Sequence, residues 1–111
     1  MEKETNLTAD VIVKLAEQTP FEKAVSNKYL EAEELLLRKH RDYGPKNISA
    51  SPGGPINGLR VRIHDKLARI NNLYDSGATP ENESLRDSFI DMANYAIIAL
   101  LVLDDEWDIE H

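Results

Sequence analysis

Two segments in the C-terminal half repeat their apolar residues at helical rather than strand spacing, and this periodicity constrains the fold more than any other feature. Residues 58–74 read GLRVRIHDKLARINNLY and residues 83–103 read ESLRDSFIDMANYAIIALLVL. Each sets an apolar face beside a row of ionisable side chains, as an amphipathic helix packed on one side does. In the second segment Glu83, Asp87, Asp91 and Asn94 lie four, four and three residues apart. That spacing lines three carboxylates and an amide along one stripe. Like charges one helical turn apart repel, so the row needs a cation, a basic neighbour or solvent.

Punctuation residues place the other helices. Thr8 can cap a short helix from Ala9 to about Glu17. Thr19-Pro20-Phe21-Glu22 is a stronger start, with Thr19 as N-cap, Pro20 first in the helix and Glu22 closing a capping box. This helix is expected to run to about Tyr43, stop at Gly44-Pro45, and turn Phe21, Val25, Tyr29, Ala32 and Leu36 to the core. Residues 44–57, GPKNISASPGGPIN, show no periodicity and read as a loop, with a mobile lid as its expected role. The next helix is expected from about Ile56–Gly58 to Ser76-Gly77, with Leu59, Ile63, Leu67, Ile70 and Leu73 or Tyr74 inward. Thr79-Pro80-Glu81 signals the start of the last helix, which should end near Asp104. The acidic tail, 105–111, is expected to fray, with Trp107 as a packing anchor. No strand pattern occurs in the sequence.

The expectation is an all-α fold, a small antiparallel bundle of about four helices. A single domain spans 1–111, with an arm at 1–18, a helical core at 20–104 and the tail. With 111 residues the chain can bury only part of its apolar surface alone. Beyond Asn94 the last helix is apolar almost all round. Residues 97–103 therefore need either another subunit or three enclosing helices of the same chain. The first alternative completes the bundle by oligomerisation, as a homodimer or homotetramer. There is no cysteine, so disulfides and thiolate metal sites are excluded. The N-terminus is polar, and the longest apolar run, AIIALLVL at 96–103, is too short to span a bilayer. A cytoplasmic protein with no membrane partner is expected.

The net charge of −7 argues against broad nucleic-acid binding. Its distribution is uneven. Residues 38–69 hold eight Lys and Arg against two acids, a local +6, which leaves −13 elsewhere. Either the segments neutralise one another across the fold, or the basic middle holds an anionic ligand such as a nucleotide phosphate. Arg62, Lys66 and Arg69 share one helical stripe beside Asp65. Guanidinium groups can grip phosphate oxygens in pairs and a lysine supplies a point charge, but the same residues can pair with neighbouring acids.

The helix starting at Pro20 carries Glu31-x-x-Glu34, which places two carboxylates on one face. Were that face to meet Asp87 and Asp91, four carboxylates would form an all-oxygen site for Mg²⁺, with Mn²⁺ as the other candidate. A solvated or ion-paired acidic surface is the alternative reading. His40 and His64 stand alone, without the spacing of an imidazole metal site. Gly53-Gly54 lacks the strand and the Gly-Lys-Ser/Thr ending of a phosphate loop.

Three motifs carry a resemblance: Arg41-Asp42-Tyr43-Gly44; RIHDKL at 62–67 with Arg69 and Asn72-Leu73; and DSFIDMANYAII at 87–98. Over about residues 30–103 the chain resembles the nucleotide-modification-associated domain common in phage genomes. That family in turn resembles, more loosely, the MazG-type all-α nucleoside triphosphate pyrophosphohydrolases. The resemblance implies an oligomeric helical fold in the host cytoplasm and a metal-dependent enzyme converting a (d)NTP to the monophosphate and pyrophosphate. It implies Mg²⁺ held by Glu31, Glu34, Asp87 and Asp91, one of which would activate water. Asp42, Tyr43, Arg62, Lys66, Arg69 and Asn94 would contact the nucleotide. The chain departs from the MazG pattern in spacing its second acids as Glu83-x3-Asp87-x3-Asp91. The other reading is a non-catalytic protein that binds or sequesters a nucleotide, in DNA modification or counter-defence.

Overall fold

The computed structural model describes residues 17–109 together with Ala9 and Ile12. The helix expected from Ala9 lies, apart from Ala9, Ile12 and Glu17, outside the described residues, as does His111. Four helices follow: α1 Pro20–Tyr43, α2 Lys46–Ser49, α3 Pro55–Asp75 and α4 Glu83–Leu103. No strand occurs among the described residues, so the fold is all-α. Among them, too, no helix is long and apolar enough to cross a membrane.

Local chemistry explains the boundaries. At the start of α1 the Thr19 N–H donates to Glu22 Oε1 at 3.0 Å, and the Glu22 N–H donates to Thr19 Oγ1 at 3.1 Å. This is the expected capping box, and hydrogen bonds to the Glu22 carboxyl from the Thr19 backbone and side chain hold it below its ordinary pKa. At the end of α3 the Gly77 N–H reaches Tyr74 O and the Ala78 N–H reaches Leu73 O, a Schellman closure. The start of α4 differs from the sequence expectation. Asn82, not Thr79, is the N-cap, and its side chain accepts the Leu85 N–H at 2.9 Å. Thr79 and Pro80 instead form a turn ahead of the helix, where the Thr79 side chain hydrogen-bonds Glu81 and lowers its pKa.

The chain divides into two compact units, Met1–Glu31 and Ala32–His111. The second holds the core, in which Ile48, Leu59, Ile98 and Trp107 are buried, with Leu36, Ile56 and Tyr95 packed against them. The short connection between α3 and α4, and their extensive packing, make them an antiparallel pair. Several expected core positions are not buried: Phe21, Val25 and Tyr29 on α1 and Leu67 on α3 are exposed. The stretch 44–57 is not all loop: residues 46–49 form α2, 55–57 open α3, and Ile48 at 1% exposure is one of the most buried residues.

The α2 segment packs hard on α3. Gly58 is buried where the two meet, and a Cβ there would fall 2.5 Å from Ser51 Cβ and Oγ. On α4 the apolar surface divides between two faces. Ile98 enters the core, whereas Phe89, Ile97, Leu100 and Leu103 are exposed.

Candidate functional site

A cleft of about 340 Å³ lies within the second unit. The C-terminal half of α1 supplies Leu36, Lys39, His40 and Tyr43, because residues three and four apart share a face. Asn47 and Ile48 come from α2, Arg62 from α3, and Asp91, Asn94, Tyr95 and Ile98 from α4. Trp107 arrives from beyond α4. Gly44, with a φ of +71°, ends α1 and turns the chain toward α2.

Asp91 is the electrostatic centre. Lys39 Nζ donates to its Oδ1 at 2.9 Å, and Lys66 Nζ lies 3.1 Å from its Oδ2. The Asp91 side chain is 13% exposed. Burial pushes its pKa up, but the hydrogen bonds from Lys39 and Lys66 and their charges outweigh burial and hold it below the ordinary value. The carboxylate is therefore ionised at neutral pH and aligns two ammonium groups. Arg62 adds a third cation. Its Nη2 donates to Asn47 O at 2.8 Å and its Nη1 to Ser51 Oγ at 3.3 Å, bracing α2. Asn94 is buried, and its Nδ2 donates to Ala32 O at 2.9 Å, which orients the amide at the cleft wall.

Fraying was expected of the tail, but residues 105–107 are held by defined contacts. Asp105 takes a φ of 57°, with its N–H bonded to Val102 O and the Glu106 N–H bonded to Leu101 O. This second Schellman closure reverses the chain. Trp107 then enters the core, donates from Nε1 to Pro45 O at 3.0 Å, and meets the His40 ring edge-on at a centroid distance of 4.8 Å.

Of the sequence candidates, Tyr43, Arg62, Asp91 and Asn94 line the cleft, and Lys66 reaches it through Asp91. Asp42, Arg69, Glu34 and Asp87 are exposed and are not part of its lining. Glu31 belongs to the first unit. Lys39, His40, Asn47, Tyr95 and Trp107 line the cleft but are not among those candidates. The helical register of Lys39 and His40 with Leu36 and Tyr43 is the signal that marks two of them. Among the described residues no group of three or more Asp, Glu or His side chains could hold a metal ion. At Asp91 both oxygens already face ammonium groups, so among the described residues the donor set around Asp91 does not fit the divalent ion that the resemblance implies.

Residues 39–103 match the nucleotide modification associated domain 1 family. This chain belongs to that family. The match begins at Lys39, so Glu31 and Glu34 precede it and Trp107 follows it. Comparison with curated proteins and with solved structures finds no match. The family segment contains every cleft residue except Leu36 and Trp107.

Proposed function

We propose that this protein binds a nucleotide in the cleft of its second unit. The observation that carries the reading is the juxtaposition around Asp91. Lys39 and Lys66 hold Asp91 between two ammonium groups, and Arg62 lines the same cleft together with the rings of Tyr43, Tyr95 and Trp107. Phosphate oxygens suit the cationic side, since ammonium and guanidinium donors make charge-assisted hydrogen bonds to them. The apolar floor of Leu36, Ile48 and Ile98 suits a base or sugar, and Asn94 or Tyr43 would contact it. The family description, a nucleotide modification associated domain, supports the same ligand class.

The finer reading is a Mg²⁺- or Mn²⁺-dependent pyrophosphohydrolase. It requires Glu31, Glu34, Asp87 and Asp91 to share an ion. The lysine pair on Asp91 supports binding over hydrolysis, because a divalent ion there would have to displace two ammonium groups. One experiment addresses both readings: calorimetric titration with nucleoside mono- and triphosphates, with and without Mg²⁺, alongside an assay for released pyrophosphate. Saturable, metal-independent binding without turnover is expected. Mg²⁺-dependent pyrophosphate release that disappears in Asp87→Ala and Glu34→Ala would replace this reading with the enzymatic one.

A further inference from the structure

Two residues of the cleft lie outside the family match, Leu36 before it and Trp107 after it. Trp107 lies beyond residue 103, and the reversal at Asp105 carries it back to the cleft. It is 8% exposed and lines the cavity beside His40. An indole has a single polar atom, the Nε1–H donor, and here Pro45 O already accepts it. What Trp107 presents at the cleft wall is therefore the aromatic carbon framework of its indole, which suits a flat ring better than a phosphate.

We propose that Trp107 is a specificity-determining residue that packs against the nucleobase and is contributed by the segment following the family domain. The proposal rests on the nucleotide reading above. The cationic side, at Lys39, Arg62 and Lys66, takes the phosphate, and the tail selects ligands that carry an aromatic ring.

Trp107 is the only tryptophan in the chain, so its emission reports on this wall alone. The test titrates the full chain with the ribo- and deoxynucleoside monophosphates and with inorganic pyrophosphate, read by fluorescence and by calorimetry. Nucleoside monophosphates should change the emission with the same midpoint that calorimetry gives. Trp107→Leu should weaken them about tenfold, the scale of one lost base–aromatic stack, and leave pyrophosphate binding unchanged. Trp107→Phe keeps a ring but loses the bond to Pro45 O, so it should restore most of the affinity. Unaltered emission, with equal nucleotide affinity in Trp107→Leu, overturns the proposal and leaves the nucleotide reading standing. Equal losses in the Phe and Leu variants, extending to pyrophosphate, overturn it by reducing Trp107 to a structural clasp. Absence of any nucleotide binding to the native chain overturns both readings.

Discussion

Asp91 shows how one carboxylate can align cations from two other helices. Its two oxygens each face an ammonium group, Lys39 from α1 and Lys66 from α3. Asp91→Asn is expected to destabilise the fold by about 1–2 kcal/mol at neutral pH, since it strips charge-assisted bonds from a half-buried trio. Its carboxyl is held below the ordinary value in the fold, so the stabilisation is complete above the carboxylate range of the unfolded chain. It is lost as the pH falls through the folded value. Urea unfolding of native and Asn forms should therefore differ at neutral pH and converge in acid. The sequence made Asp91 conspicuous through its acidic row, but it could not show that its neighbours are lysines. That pairing depends on how α1 and α3 approach α4. Lys39 is inconspicuous in the sequence for the same reason: within a basic run, nothing local distinguishes the side chain that reaches Asp91 on another helix.

At the scale of elements, helices announced themselves through caps and periodicity, and irregular segments did not. Thr19-Pro20-x-Glu22 and Gly77 delimit helices through bonds visible in the one-dimensional pattern. The stretch 44–57 reads as a loop because Gly, Pro and Ser mask its one apolar anchor, Ile48. Tertiary burial, not propensity, holds α2 in place. Gly58→Ala should push Ser51 away and cost about 1–3 kcal/mol in urea unfolding, as overpacking does. The tail reads as frayed in the sequence because an aspartate, not a glycine, makes its reversal. Asp105→Val should lose about 1–2 kcal/mol, since a β-branched residue resists the left-handed conformation, whereas Asp105→Gly should lose nothing. Thermal melts of the two variants check this.

For the molecule as a whole, the second unit carries both core and cleft, and α4 keeps an unburied apolar stripe. Phe89, Ala93, Ala96, Leu100 and Leu103 follow each other at four, three, four and three residues, the spacing of a helix–helix seam. Alanines at its middle leave room for close approach. Self-association is the expected result, and sedimentation should find the native chain oligomeric and Leu100→Glu monomeric. The cleft belongs to a single chain, so nucleotide binding should survive that substitution.

The central claim is that a nucleotide occupies the cleft around Asp91. Chemical-shift mapping of the ¹⁵N-labelled chain during titration with nucleoside monophosphates tests it most directly. The account expects shifts concentrated on Lys39, Tyr43, Asn47, Arg62, Asn94 and the Trp107 indole, saturating together. Shifts that instead concentrate on the exposed acids Glu34, Asp87 and Glu83, or an unchanged spectrum at millimolar ligand, would contradict it.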